Sequence, residues 1–302
     1  MILKGCPGSG KTTWAKKFLE KNKDFVRINR DDLRRTLFPS TKYPYYIAGN
    51  KTEKHVTDHI ADLTRNLANQ GVSIIDDNTN LNPKYFQKSL DFINSLGYNV
   101  EIKEFFDFPL DNLLQRNLER EFSVPEDVVY RMYRTQMEIQ NRVMTKVQGL
   151  PSCVIIDIDG TVADMGKDEP WGRKPYEWSK VINDRPKTNV CNFVKYLISN
   201  RCCSYKNPIP IFLSGRDGVA YEDTKEWIYQ HLFPGYVSRD SVLLFMRDAN
   251  DNRHDSIIKE ELLRKYILPK YNIDFCLEDR RRVYVHYRAL GLEVWAVENG
   301  LY

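Results

Sequence analysis

Apolar residues along the chain fall into short β-rich runs separated by stretches with a three-to-four-residue repeat. Runs at 2–5, 25–29, 72–76 and 100–106 are rich in Ile, Val and Phe, and each reads as a buried strand. Between them, Val56, Ile60, Leu63 and Leu67 recur at helical spacing, which predicts a helix burying that stripe. Asn82-Pro83 is a helix start and Gly97 follows the expected end. A long polar-faced helix is predicted from about residue 125 to 146, and Gly149, Leu150, Pro151 and Ser152 then read as a linker. A second series of strands follows at 153–157, 209–214, 241–246, 273–277 and 292–297. Strands alternating with helices predict parallel sheets covered on both faces, so the fold class is α/β with two domains, 1–148 and 152–302. The chain carries no internal repeat and no low-complexity tract.

At 302 residues the chain has room for two cores. With 42% hydrophobic and 28% charged residues and no apolar run of 18, it is expected to be soluble, without a membrane span or a signal peptide, and cytoplasmic. The six cysteines (6, 153, 191, 202, 203 and 276) show no CxxC or Cys/His ligand spacing and are expected as reduced thiols. The net charge of +4 lies wholly in residues 1–147, with 23 Lys and Arg against 19 Asp and Glu; the remainder balances at 22 each. That surplus is too mild for coating long nucleic acid and suits a protein gripping a few phosphates.

Candidate chemistry sharpens both halves. Gly5, Gly8, Ser9, Gly10, Lys11 and Thr12 belong to the complete pattern G-x-x-x-x-G-K-T between a strand and a helix. Its backbone amides can curl round a phosphate, with Lys11 reaching the β and γ oxygens of ATP and the Thr12 hydroxyl ligating Mg²⁺. Asp31, just past the second strand, is placed to accept the proton of a substrate hydroxyl, although Asp31 or Asp32 could also cap the next helix. Asp76 and Asp77 end the third strand, where an acid could hold magnesium-bound water. Arg116 and Arg120 lie one helical turn apart and could close on the transferring phosphoryl group.

In the second half, Asp157 and Asp159 sit two apart at a strand tip and point to one side. Carboxylates so close imply Mg²⁺ between them, with Asp157 placed to attack phosphorus and Asp159 to protonate the leaving oxygen. Ser214 and Arg216 end another strand and offer a hydroxyl and a guanidinium to phosphate. Lys259, expected at a helix start, would offset the charge of an aspartyl-phosphate, and Glu278-Asp279 completes the metal site. Together these form the haloacid-dehalogenase-type phosphotransferase pattern. About 22 residues separate this strand tip from the next helix, too few for a cap domain, and Arg173 lies there to bind backbone phosphate.

The order of these motifs resembles the bacteriophage polynucleotide kinase–phosphatase family over essentially the whole chain. The resemblance implies a P-loop NTPase-type sheet followed by a haloacid-dehalogenase-type, Rossmann-like sheet. It also implies a bifunctional enzyme that phosphorylates 5′-OH ends from ATP and removes 3′-phosphates, with 2′,3′-cyclic phosphates as an extension. Expected with it are RNA and DNA strand ends as substrates, in RNA and DNA repair, a coupled ligase, and a tetramer. Residue by residue, it makes Asp31 the kinase base and Arg34 the contact to the acceptor phosphate, with Arg116 and Arg120 on the donor. It makes Asp157 the nucleophile, Asp159 the acid–base, and Ser214, Arg216 and Lys259 the phosphate holders. Asp279 completes the Mg²⁺ site, Arg173 and Asp255 match further functional positions, and Asp77 is the choice for the acid of the kinase site. Two departures stand out: Glu278 replaces an aspartate, and residues 76–80 carry one extra residue.

His55 and His59, four apart without a third ligand, are expected on a solvated helix face. Arg280, Arg281 and Arg282 suit either nucleic acid or a charged helix start, and Tyr43, Tyr45 and Tyr46 suit packing over base stacking. Two other functions fit the same motifs. One is a small-metabolite kinase fused to a small-molecule phosphatase; the other is a strand-end sensor, which would need lost catalytic residues.

Overall fold

A computed structural model describes residues 1–38, 49–166, 169–203, 207–233, 235 and 238–297. The predicted Tyr43, Tyr45 and Tyr46 lie outside the described residues, as do the side chains of Cys202 and Cys203. Contacts divide the chain into two units, Met1–Arg142 and Val143–Tyr302.

The first unit alternates as the hydrophobic pattern requires: β1 (Ile2–Lys4), α1 (Lys11–Lys21), β2 (Phe25–Ile28), α2 (Arg30–Leu37), α3 (Gly49–Asn69), β3 (Ser73–Asp76), α4 (Pro83–Ser95), β4 (Ile102–Glu104), α5 (Leu110–Leu118) and α6 (Glu126–Ile139). The strands form one parallel sheet in the order β2-β3-β1-β4. Leu3, Ile75 and Ala15 are fully buried between sheet and helices, with Trp14, Phe18, Phe25 and Phe105 packed against them. Because all strands run the same way, the loops after β1, β2 and β3 open on one edge of the sheet.

Caps explain several helix limits. Asn29, not Asp31 or Asp32, caps α2, its Oδ1 accepting from the Asp32 amide at 3.0 Å. Asn82 caps α4 in the same way, with Pro83 in its first turn. Two expectations are corrected. The buried face of α3 holds Val56 and Thr64 and is centred near Ile60, while Leu63, about 60° round the helix from Ile60 and about 100° from Thr64, sits at its edge and is 41% exposed. And α6 stops at Ile139, not near Lys146: Asn141 takes a left-handed conformation (φ 53°) and the Arg142 amide closes on the Met137 carbonyl at 2.8 Å. From Val143 the chain packs with the second unit, where the Met144 amide donates to Leu290 O at 2.7 Å.

The second unit contains β5 (Ser152–Ile156), β6 (Ala163–Asp164), β7 (Arg185–Pro186), α7 (Thr188–Cys203), β8 (Ile209–Ser214), α8 (Tyr221–Leu232), β9 (Leu244–Met246), α9 (Asp255–Leu262), β10 (Asn272–Glu278), α10 (Arg281–Ala289) and β11 (Val294–Ala296). Its main sheet is parallel, in the order β11-β10-β5-β8-β9. Central β5 is buried on both faces from Cys153 to Ile156, as a strand covered by helices on both sides should be. Among the described residues, the segment between β5 and α7 holds only the antiparallel β6–β7 pair and a 3₁₀ turn, Trp178–Asn183. Lys259 does not begin a helix as expected: α9 starts at Asp255, which places Lys259 one turn inside and 2% exposed.

Candidate active sites

In the first unit the loop after β1 wraps tightly. Gly8 has φ 79°, and a Cβ there would stand 2.7 Å from the Leu113 carbonyl, so the loop could not close with a side chain at that point. Lys11 opens α1 and is 7% exposed. Its ammonium donates to Gly5 O and Cys6 O at 2.8 Å each and to Ser9 Oγ at 3.3 Å, and burial lowers its pKa to about 8. A cleft of about 620 Å³, large enough for a nucleotide, brings together Gly8, Ser9, Gly10, Lys11, Thr12, Asp31, Arg34, Asp77, Arg116 and Arg120. Gly5 stays behind it as an acceptor for Lys11.

Carboxylates in this cleft are gripped by arginines. Arg34 Nη1 donates to Asp31 Oδ1 at 2.5 Å, while its Nε and Nη2 form a fork with Glu53 of α3 at 2.6 and 2.8 Å. Asp77 is 1% exposed; its Oδ2 accepts from Arg27 Nε at 2.6 Å and its Oδ1 is buried without a hydrogen-bond partner. Asp76 turns into a separate cavity on the far side of β3, where burial pushes its pKa up to about 6. Arg116 lies over the Phe108 ring at 4.4 Å with Nη1 buried and unpartnered. An unpartnered carboxylate oxygen and an unpartnered guanidinium nitrogen suit a site for a phosphate accompanied by a cation.

In the second unit, Asp157 and Asp159 follow the buried end of β5. Lys259 Nζ bridges Asp157 Oδ1 and Glu278 Oε2 at 2.7 Å each. Asp157, Glu278 and Asp279 are buried with ligating oxygens all within 4.8 Å of one another. Burial first, then the charge of Asp157, raises both Glu278 and Asp279 above the usual carboxylate range. Lys259 is itself held above its ordinary value: burial pulls it down, but Asp157 and Glu278 more than offset this. Three crowded acids facing one ammonium form a donor set suited to a hard divalent cation. Gly160 (φ 80°) lets the chain pass against the Asp279 carboxylate, which a Cβ would strike, and Thr161 Oγ1 donates to Asp279 Oδ1 at 3.0 Å.

Asp159 faces another way. Arg216 reaches it through Nε at 3.1 Å to each oxygen and through Nη2 at 2.6 Å, and Arg173 Nη2 through a 2.8 Å bond. Burial pushes its pKa up, but Arg216 and then Arg173 outweigh this and hold it low. Ser214 Oγ accepts from the Arg216 amide at 3.1 Å. Asp255 pairs with Arg247 and Arg280 and lies 3.6 Å from Arg282.

A family model described as the polynucleotide kinase PNKP phosphatase domain matches residues 151–302, half of the chain. The chain belongs to that family. An AAA-domain model matches residues 1–139 of the same chain. Among curated relatives, a "Putative bifunctional polynucleotide kinase/RNA ligase" of Autographa californica nuclear polyhedrosis virus is 28% identical over 293 residues, 93% of this chain but 39% of the relative. An L-seryl-tRNA(Sec) kinase of Methanococcus maripaludis is 31% identical over 140 residues, 44% of this chain and half of that one. The chain thus spans half or less of the curated relatives it matches. Among solved structures, a chain of the Pnkp1/Rnl/Hen1 RNA repair complex covers this chain completely, with 96% of its own length matched, at 27% identity and a TM-score of 0.44.

Within the PNKP phosphatase unit, the geometry differs from the sequence reading at three points. The cation-ready acid cluster is Asp157 with Glu278 and Asp279, whereas Asp159 is paired with arginines. Arg173, expected to face a nucleic-acid phosphate, is 4% exposed and bonded to Asp159 and Asp184. Glu278, the departure from aspartate, uses its extra methylene to meet Lys259 through Oε2 and the Arg280 amide through Oε1. Asp184, Arg247 and Glu53 went unnoticed in the sequence because none lies in a patterned motif. The one available signal was unpaired demand: each buried arginine needs a carboxylate. Among the described residues no helix is long and apolar enough to cross a membrane. His55 and His59 lie on an exposed face, where His59 Nδ1 meets the His55 carbonyl at 3.0 Å.

Proposed function

We propose that the chain heals broken nucleic-acid strands, phosphorylating 5′-hydroxyl ends in its first unit and removing 3′-phosphates in its second. The observation that carries this reading is the pairing, on one chain, of a PNKP phosphatase-type unit with a phosphate loop whose cleft also holds Asp31 and six arginines. In the kinase step, amides of the loop and Lys11 hold the donor phosphates, with Lys11 exchanging its loop carbonyls for phosphate oxygens. Asp31 accepts the 5′-hydroxyl proton as the new O–P bond forms and the bond to the β-phosphate breaks. Arg34 contacts the acceptor's phosphate, and Arg116 and Arg120 stabilise charge on the transferring group.

In the phosphatase step, the Asp157 carboxylate attacks phosphorus and an aspartyl-phosphate forms; the incoming phosphate draws Arg216 away from Asp159, which then carries a proton and donates it to the departing 3′-oxygen. Lys259, with Ser214, balances the charge of the aspartyl-phosphate. Asp159 then takes a proton from water, which attacks phosphorus and frees phosphate and Asp157. Magnesium, held by Asp157, Glu278 and Asp279 here and by Thr12 and Asp77 in the kinase cleft, would supply charge neutralisation of the phosphate. RNA and DNA ends are both included, and strands so healed suit a ligase, in keeping with the kinase/RNA ligase name of the viral relative. A tetramer, part of the same proposal, is read by light scattering.

The test offers γ-labelled ATP with matched 5′-hydroxyl RNA and DNA strands, and unlabelled protein with 3′-phosphate strands. Labelled strands and released phosphate are expected. Small alcohols phosphorylated in place of strands would overturn the reading in favour of a metabolite kinase.

A further inference from the structure

Lys174, Pro175, Tyr176 and Glu177 form a tight turn joined directly to the phosphatase site. The Glu177 amide donates to Lys174 O at 3.1 Å and closes the turn, and the Lys174 amide donates to Glu177 Oε2 at 2.8 Å. Arg173 pins it from the buried side, Nη1 donating to Pro175 O at 3.3 Å and Nη2 to Asp159 Oδ1 at 2.8 Å. The same guanidinium holds Asp184 through Nε at 2.7 Å, and Arg216 bonds both Asp159 and Asp184, so four buried side chains close a ring joined to the turn. Tyr176 stands on the turn 82% exposed, and its ring meets the Trp178 ring edge-to-face, with 6.0 Å between centroids. Trp178 lies 5.8 Å from the Arg173 guanidinium and packs on the core of the unit.

A lone exposed tyrosine is ordinary. This one sits on a backbone stiffened by Pro175 and by three hydrogen bonds, in a place fixed by the arginine that holds Asp159. A ring set in advance loses little freedom when something stacks on it. In the phosphatase step proposed above the 3′-oxygen lies beside Asp159, so its nucleoside extends outward from there. Of the two arginines on Asp159, Arg216 is 1% exposed and turns inward to Thr224 of α8, whereas Arg173 leads to the exposed turn. Exposed Lys174 adds a cation for a polyanionic strand. We infer that Tyr176 is a stacking platform for the 3′-terminal nucleobase, so that the phosphatase unit takes nucleoside 3′-phosphates in preference to bare sugar phosphates. The inference rests on the phosphatase reading above and deepens it by naming a base-binding subsite. Stacking uses the π face that every base carries, which suits an enzyme meeting ends of any sequence.

The experiment measures steady-state dephosphorylation of two oligonucleotides that differ only at the 3′-phosphorylated terminal residue. One carries its base there, the other a hydrogen in place of the base. Wild-type protein should show a KM about five- to thirtyfold higher for the base-free strand, with kcat within about twofold. Tyr176→Ala should raise KM for the base-bearing strand to that same level and leave the base-free strand unchanged. Tyr176→Phe, which keeps the ring, should match the wild type. An equal rise on both strands would make Tyr176 a contact to sugar or phosphate or a mere support of the turn, and equal KM values in wild-type protein would show that no base is bound. Either result overturns the inference, while phosphate release from both strands still upholds the phosphatase reading. A Tyr176→Phe variant as impaired as Tyr176→Ala would assign the effect to the hydroxyl and overturn the inference likewise. Wild-type protein releasing phosphate from neither strand would remove the phosphatase reading itself, and the inference with it.

Discussion

Replacing Lys259 with methionine should destabilise the second unit strongly, and more so at alkaline pH. The side chain keeps its length but loses the ammonium that stands 2.7 Å from both Asp157 and Glu278. Asp157, Glu278 and Asp279 are then left facing one another within 4.8 Å, and the nearby Arg280 guanidinium is already bonded to Asp255. Removing one partner of a buried ion pair costs about 3–5 kcal/mol, because the remaining charge is stranded. Part of that cost is avoidable, since the acids can bind protons. Their folded pKa values would lie above the unfolded ones, so stability is fullest below about pH 4 and declines as pH rises through the folded values. Urea denaturation of the whole chain followed by tryptophan fluorescence reports this well, because four of the five tryptophans (171, 178, 227 and 295) lie in the second unit. With a slope of about 2 kcal/mol per molar urea, the midpoint should fall by roughly 1.5–2.5 M at pH 8 and by clearly less at pH 5.5. Magnesium in excess should recover more stability in the variant than in the wild type. A loss below about 1 kcal/mol, or one that does not vary with pH, would refute the electrostatic account of this cluster.

Lys11→Ala and Asp31→Ala should each lower 5′ phosphorylation by about 10²-fold or more while 3′ dephosphorylation persists, and Asp157→Ala or Asp159→Ala should do the reverse; cross-loss in folded protein would contradict two separate sites. Burial lowers Lys11 to about pKa 8, and a bound phosphate favours its charged form, so ATP affinity should be level below that pH and weaken about tenfold per unit above it; calorimetric titration giving a flat profile to pH 9.5 would argue against Lys11 as a phosphate contact. Stripping with EDTA and restoring magnesium should raise the melting temperature of the second unit, more at pH 8 than at pH 6, because protons on Glu278 and Asp279 compete with the cation; in Asp279→Ala the increment should vanish.

The strands were the most legible part of the fold, because parallel strands buried on both faces leave short runs dominated by apolar residues, as at 209–214 and in the centre of β5. Residues bound to a strand end were legible for the same reason: Lys11, Asp31, Asp157 and Ser214 each follow such a run within a few positions. What stayed hidden depends on rotamer and pairing, which no spacing encodes. Asp159 lies two residues from Asp157, yet one faces arginines and the other a lysine and two acids. The end of α6 turned on a single left-handed asparagine, Asn141, and Leu63 was misread because one apolar residue near the edge of a stripe fits either face.

On the proposed function, the two sites would answer the same ligand, a phosphate, with different arrangements of charge. Around the kinase cleft, eight basic side chains (Lys11, Lys16, Arg27, Arg30, Arg34, Arg35, Arg116 and Arg120) face five acids (Asp31, Asp32, Asp77, Glu119 and Glu121). That surplus suits the proposed pairing of a polyanionic donor with a strand end, and an open cleft can admit both. In the phosphatase site the acids Asp157, Glu278 and Asp279 gather about one ammonium, and Asp159 is tied into a closed ring with Asp184. Here each cation is already matched by a carboxylate, so phosphate would be held mainly while a divalent cation is shared with the three acids, which would favour release of the inorganic phosphate formed. A kinase must retain its donor until transfer, whereas a phosphatase must let its product go, and the local charge balance of each unit fits that difference.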